Sequence, residues 1–155
     1  MEIFQSGAHD DLGIEIVAAS PERVAIRVPF KPELARSIEN MSIHSGVVMT
    51  AIDSGMGLAC MMNLKEPSSL ATLDLRYDEL RSPRAEQDIE ISVQCDSIDE
   101  GIVFLTGSAS DADGVFAQSV SRFFLTGESS AFFRKTFEKL ANRSDSDFSS
   151  TGSTA

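Results

Sequence analysis

The chain has 155 residues, of which 42% are hydrophobic and 24% are charged. These fractions are typical of a soluble globular protein that buries one core, and they do not favour intrinsic disorder. The formal net charge of −11 argues against nucleic acid and against an anionic membrane surface, because both attract a surplus of Lys and Arg. A small polyanionic ligand remains compatible with this charge if a few cations cluster locally.

The cysteines and the start of the chain bear on location. Cys60 and Cys95 are the two cysteines, without a CxxC spacing or a His/Cys cluster, so no metal site is predicted. The first six residues lack the basic and apolar segments of a secretion signal. No segment reaches the roughly 20 apolar residues that favour a membrane span. We therefore expect a cytoplasmic, soluble protein with free thiols and no membrane partner.

Two strands and a long helix are predicted in the first half of the chain. Residues 12–19 are rich in Ile and Val, and residues 23–30 show the period-two alternation of a half-buried strand. Residues 31–43 are predicted to form a loop with one helical turn. Residues 46–62 lack proline and are rich in Ala, Leu and Met, which favours a helix that is buried on most faces.

Two glycines, Gly55 and Gly57, lie inside this predicted helix. A glycine in a helix interior costs roughly 1 kcal/mol relative to Ala. Such a cost suggests that another backbone passes close to the helix at these positions.

The second half of the chain predicts four more strands and a final helix. The strands alternate apolar and polar residues and are separated by turns containing Asp and Gly; they cover residues 70–80, 89–96, 102–110 and 115–125. Residues 130–142 form a predicted amphipathic helix. Residues 143–155 are polar and of low complexity, so we expect a disordered tail.

The order of these elements predicts one α+β domain in residues 1–142. One helix cannot cover both faces of an antiparallel sheet of about six strands, so the sheet should curl around the helix. Its other face or an edge is then left for a second copy of the chain. We expect an oligomer for this reason.

Asp53 and His44 are the first candidates for chemistry. Asp53 is the only charged residue in the predicted buried helix, and an unpaired buried carboxylate costs several kcal/mol. It either serves a function or lies on a narrow solvent-facing stripe, bonded to a nearby backbone or hydroxyl group. His44 precedes Ser45 and Gly46 at the helix start, where free N–H groups suit a developing oxyanion. His9 has no such context and is expected at the surface.

Residues 44–53, HSGVVMTAID, and residues 71–83, ATLDLRYDELRSP, form two motifs that follow each other along the chain. They resemble the His-Gly-Gly…Asp segment, and the strand after the central helix, of the PaaI-like group of hot-dog thioesterases. The resemblance covers roughly residues 7–127. It implies a hot-dog fold, in which one antiparallel sheet wraps around one long central helix, and a homodimer or a dimer of dimers.

The resemblance also implies roles in cleaving the thioester of a small or medium acyl-CoA, without a cofactor. Asp53 would be the general base or the nucleophile. The N–H of Ser45, helped by Gly46, would polarise the carbonyl, and His44 would orient that carbonyl or the leaving sulfur. Thr72 matches a hydroxyl position that comes from the partner subunit in relatives and holds the attacking water.

The chain departs from the family pattern at three positions. Ser45 replaces a glycine, which would strain the backbone if the position needs a positive φ. Glu79 replaces a tyrosine. Asn40 matches the family's substrate-binding Asn, but its spacing to His44 is shorter.

The CoA phosphates would require cations. The candidates are Arg81, Arg84 and Arg122, but for any one of them taken singly a solvated surface charge is the preferred interpretation. The departures at Ser45 and Glu79 keep open an alternative function, a non-catalytic protein that binds acyl-CoA or an acyl carrier. A hydratase would need an Asp and His pair at a different spacing, which we do not find.

Overall fold

The computed structural model describes residues 8–127 and 129–142. The described elements are, in chain order, α1 (Ala8–Leu12), β1 (Glu15–Ala19), β2 (Val24–Val28), a 3-10 turn (Pro32–Leu34), α2 (Ser45–Met62), β3 (Leu70–Glu79), β4 (Ile89–Asp99), β5 (Ile102–Asp111), β6 (Gly114–Leu125) and α3 (Ala131–Ala141). The predicted polar tail lies outside the described residues.

The six strands form one antiparallel sheet in the order β1-β2-β4-β5-β6-β3. The sheet packs one face against α2, as predicted. The alternating residues of β2 and β4 explain this arrangement, because Ile26 and Ile91 are buried at paired positions while Arg27 and Glu90 face solvent. The α+β class and the wrapped central helix are therefore confirmed.

The central helix α2 is long and apolar because the sheet surrounds it. Nine of its 18 residues are buried. By length and hydropathy it would qualify as a membrane span, contrary to our expectation, but the core helix of a soluble protein passes the same test. Its burial against the sheet accounts for its apolar composition.

Gly55 and Gly57, in the interior of α2, have different surroundings, and our prediction of a nearby backbone is wrong for both. A Cβ on Gly55 would lie 3.0 Å from Ile26 Cδ1 and 3.2 Å from a methyl group of Val93, so side chains set the close approach. A Cβ on Gly57 would meet only Phe123, at 3.7 Å, which is an ordinary contact distance. Gly57 is therefore not explained by packing.

A β-bulge at Leu73 changes the face of the sheet on which Thr72 lies. The pairing with β6 shifts between Thr72 and Asp74, so Leu73 is the extra residue. Thr72 pairs with the buried Phe123, while Asp74 pairs with the exposed Arg122. Thr72 therefore faces α2, and Leu73 is 54% exposed. The uninterrupted alternation that we predicted, with Thr72 on the opposite face from Leu75, is wrong at this point.

The start of the domain also differs from the prediction. The strand predicted from residue 12 begins at Glu15, because residues Ala8–Leu12 form the short helix α1. Gly13 ends this helix with a φ of +70°, and its N–H bonds to the His9 carbonyl oxygen.

Candidate functional site

Asp53 lies on α2 opposite β3 and is half-buried. The Thr72 hydroxyl donates a hydrogen bond of 2.9 Å to Asp53 Oδ1. The bulge at Leu73 makes this contact possible, because it turns Thr72 towards the helix. Within one chain Thr72 therefore already reaches Asp53, and the expectation that the partner subunit supplies this hydroxyl stays a prediction.

A second polar contact lies beside Asp53 and was missed in the sequence. His9 Nε2 is 2.7 Å from Ser54 Oγ, and Ser54 Oγ donates to the Thr50 carbonyl oxygen at 2.7 Å. His9 is half-buried rather than a free surface residue. Its partner is 45 positions away in the chain, so no local pattern indicates the pairing.

The helix start is capped by His44. Its Nδ1 accepts a 3.0 Å hydrogen bond from the Gly46 N–H, so the neutral ring carries its proton on Nε2. The exposed Nε2–H then remains a donor for a ligand. A Cβ on Gly46 would lie 3.1 Å from Nδ1, which explains why glycine suits this position. The Gly46 N–H, in contrast, is already engaged within the chain.

The φ angle of Ser45 is not positive, so a serine at the family's glycine position does not strain the backbone. Among the described non-glycine residues, positive φ occurs at Glu86 and Glu100, and not at Ser45. Ser45 is the first residue of α2, where an N–H has no intrahelical partner. No acceptor for it lies among the described residues, so it is the free donor at this end of the helix.

The helix start and Asp53 are separated along α2. Ser45 and Asp53 are eight positions apart, which corresponds to about 12 Å at the rise of an α-helix. A base and an oxyanion donor must each come within about 3 Å of the reacting atoms. One chain therefore does not bring both groups to the same carbonyl.

Glu79 anchors the segment that precedes α2. Its carboxylate forms an ion pair with Arg36 and accepts a 3.1 Å hydrogen bond from the Tyr77 hydroxyl. Burial, and then the Glu79 charge, raise the pKa of Tyr77, so its hydroxyl stays protonated. Arg36 Nε also donates to the Ile43 carbonyl oxygen at 3.4 Å. The departure at Glu79 thus has a structural partner that we did not predict.

Asn40 is engaged within its own loop. Its Oδ1 accepts hydrogen bonds from the Ser42 N–H at 3.1 Å and from the Ser42 hydroxyl at 2.7 Å. No contact with Asp53 or His44 is recorded for it among the described residues. Its amide nitrogen remains the group that could meet a ligand.

The three candidate arginines are all ion-paired. Arg81 binds both oxygens of Asp111, at 2.9 and 2.6 Å, and the Gly114 carbonyl oxygen at 2.7 Å. Arg84 pairs with Asp113 at 3.2 Å, and Arg122 pairs with Asp74. Arg81 therefore holds the β5–β6 turn.

The sequence match to a curated protein covers about half of the chain. No protein-family model matches it. A protein of Halobacterium salinarum named "Putative esterase" is 31% identical over 85 residues, which are 53% of this chain and 56% of that protein. The chain thus spans about half the length of this curated relative.

Solved structures match most of the chain. A thioesterase from Haemophilus influenzae superposes with a TM-score of 0.74 at 17% identity, over 81% of this chain and 87% of that one. The PaaI protein of Escherichia coli, from the phenylacetic acid degradation operon, gives a TM-score of 0.70 at 13% identity, over 81% and 88%. These similarities show that the chain has the hot-dog fold.

Proposed function

We propose that the protein is a thioesterase that hydrolyses a small or medium acyl-CoA. The Asp53–Thr72 contact carries the proposal, because it places a carboxylate and a hydroxyl together at the open side of the central helix. The hot-dog fold shared with a thioesterase of Haemophilus influenzae and the short match to an esterase-named protein support it. The reaction needs no cofactor.

In the proposed reaction Asp53 acts as a general base on water, or attacks the carbonyl carbon itself. Thr72 orients the carboxylate and holds the water. A thioester carbonyl has little resonance stabilisation and its thiolate leaves readily, so one carboxylate and one or two donors suffice. The oxyanion would bind the N–H of Ser45 and the Nε2–H of His44, at the positive end of the helix dipole.

The proposal includes a homodimer with a shared site. Because one chain separates the helix start from Asp53 by about 12 Å, the donors would come from Ser45 of the partner subunit. The strand β3 is an open edge of the sheet and carries Thr72 beside Asp53. An open edge strand offers unpaired backbone groups to another chain, so β3 is the proposed contact. Two such dimers could associate further.

The proposal also covers the cations that bind the CoA phosphates and the cellular location of the protein. Arg84 and Arg122 are about half exposed, so they can exchange a carboxylate partner for a phosphate. Arg81 is less suited to bind a phosphate, because its guanidinium group already pairs with the buried carboxylate of Asp111. Asn40 would offer its amide nitrogen to the substrate. A CoA substrate and two free cysteines agree with a cytoplasmic location.

A panel of acyl-CoAs tests the activity, with the released thiol measured by a thiol reagent. Asp53→Asn keeps the shape of the side chain and should lower kcat/KM on the best substrate by at least about a hundredfold. Equal rates for the two proteins would refute the mechanism. The engaged Gly46 N–H favours one alternative, a non-catalytic acyl-CoA binder, which tight binding without turnover would support.

A further inference from the structure

Gly57 follows Asp53 by about one turn of α2, and no packing contact explains a glycine there. Its φ is not positive, and a Cβ would fit at an ordinary distance from Phe123. Gly55, in contrast, is required by the close approach of Ile26 and Val93. Since glycine is unfavourable in a helix interior relative to Ala, an unforced glycine here keeps space open.

We define a path along α2 by the residues that share one side of the helix with Gly57. Asp53, Gly57 and Met61 follow one another at steps of four, so they lie on this side. Leu70 is half-buried and lies on the same face of β3 as Thr72, because a two-residue step in a strand returns to the same face. The path is thus polar at Asp53 and Thr72 and apolar beyond them.

The C-terminal end of this path, at Met61, borders an apolar cavity. The cavity has a volume of about 110 Å³ and is lined by residues from the end of α2, the turn after it and α3, namely Met61, Met62, Leu64, Phe137, Leu140 and Ala141. This cavity is partly open to solvent, and its mainly apolar lining suits an apolar group. The two methionines can adapt their shape to a ligand.

The final helix α3 is connected by hydrogen bonds to the segment that directly precedes β3. The Ser130 N–H donates to Ser69 Oγ at 3.1 Å, and the Gly127 N–H donates to Ser68 Oγ at 3.3 Å. Leu140 is buried at 8% exposure. The end wall of the cavity is therefore held in place next to the start of β3.

We propose that the acyl chain of the substrate runs from Asp53 over Gly57 and ends in the cavity beneath α3. The distance from Asp53 to Met61 is about 12 Å along the helix, which suits a medium-length straight acyl chain. This inference rests on the proposed function. It makes Gly57 and the lining of α3 the determinants of chain length.

Binding measurements on matched glycine variants test the path. Calorimetry should show that the wild type binds S-decyl-CoA, a thioether that cannot be hydrolysed as a thioester is, at least tenfold more tightly than S-ethyl-CoA. Gly57→Leu fills the proposed path and should bring this ratio to about one, whereas Gly57→Ala, whose Cβ fits at 3.7 Å from Phe123, should retain a ratio well above one. A ratio that Gly57→Leu leaves unchanged, or a wild type without chain-length preference, would overturn the inference.

A second variant tests the end of the path, and it keeps the inference testable if Gly57→Leu does not fold. Phe137→Ala enlarges the cavity and should move the tightest binding towards S-dodecyl- and S-tetradecyl-CoA, with an unchanged optimum as the opposing result. Hydrolysis is measured separately on the same proteins. Chain-length-dependent binding without hydrolysis would reject the thioesterase alone, and hydrolysis without this dependence would reject the path alone.

Discussion

The hydroxyl of Thr72 donates to the carboxylate of Asp53 across the gap between β3 and α2, at 2.9 Å. This bond fixes one carboxylate oxygen and leaves the other for water or substrate. It depends on the bulge at Leu73, which turns Thr72 towards the helix.

Removing this hydroxyl should lower activity without altering the fold. Thr72→Val keeps the side-chain shape, and the loss of a hydrogen bond to a charged group costs about 1.5–3 kcal/mol. We expect kcat/KM for the best acyl-CoA to fall by about ten- to a hundredfold. Thr72→Ser retains the hydroxyl and is the control. If the valine and serine variants are equally active, Thr72 does not orient Asp53.

The helix cap and the donor role of His44 can be separated. His44→Ala removes the Nδ1 acceptor for the Gly46 N–H and should lower the free energy of unfolding by about 1 kcal/mol. His44→Ser restores a capping oxygen but not the Nε2–H. We therefore expect the serine variant to unfold in urea like the wild type and yet to hydrolyse acyl-CoA more slowly. Wild-type turnover by His44→Ser would assign His44 to capping only.

The fold was largely predictable because its periodicities are local. The apolar run that forms α2 and the alternation in β2 and β4 place each element by its own sequence, and the structure moves the helix start by only one residue, to Ser45. The start of β1 was not predictable from its apolar residues alone. Gly13 as the end of a short helix was the available signal.

The candidate site was less predictable because its contacts join distant segments. The pairs His9–Ser54 and Arg36–Glu79 are 45 and 43 positions apart, and neither has a local pattern. The facing of Thr72 depends on one bulge, which moves the residue to the other side of the strand. Sequence reasoning found Asp53 because a lone charge in an apolar helix stands out by itself.

The ion pair of Glu79 with Arg36 should stabilise the segment that leads into α2. Both side chains are about three-quarters buried, at 23% and 26% exposure. Glu79→Gln leaves the guanidinium without its counter-charge and should cost about 1–3 kcal/mol in urea unfolding. Amide hydrogen exchange in residues 34–44 should accelerate. Tyr77→Phe removes only one hydrogen bond to the same carboxylate and serves as the control, with a smaller effect expected.

The decisive result is whether the faster hydrogen exchange in Glu79→Gln is confined to residues 34–44. If exchange in residues 34–44 of Glu79→Gln matches the wild type, the ion pair does not hold this segment. A uniform increase across the whole domain would instead indicate a general loss of stability.

Asp111 should make the stability of the domain sensitive to acid. Its side chain is fully buried, and the hydrogen bond from Arg81 is the main cause that holds its pKa below the usual value, helped by the backbone N–H groups of Arg84 and Asp113. A carboxyl group with a lowered folded-state pKa stabilises fully above its unfolded pKa of about 3.9 and loses this contribution as the pH falls. The free energy of unfolding should therefore decrease below about pH 4.

Asp111→Asn tests the assignment of this acid sensitivity. The variant should lose about 2–3 kcal/mol at neutral pH, because Arg81 loses a charged partner. Its stability should then decline less steeply than that of the wild type between about pH 4 and pH 2. If the free energies of unfolding of the variant and of the wild type show the same pH dependence in urea, a group other than Asp111 causes the acid sensitivity.

Heterodimers can show whether two chains share one site. Asp53→Asn keeps the helix start intact, and His44→Ser keeps Asp53 and Thr72 intact. If the donors come from the partner subunit, a heterodimer of these two variants, isolated with two affinity tags, regains one complete site. Its activity should be about half that of the wild-type dimer, while each parent homodimer stays low. Activity no higher than in the parents would mean that His44 and Asp53 act within one chain, and the separation of about 12 Å along α2 would then have to be bridged by the substrate itself.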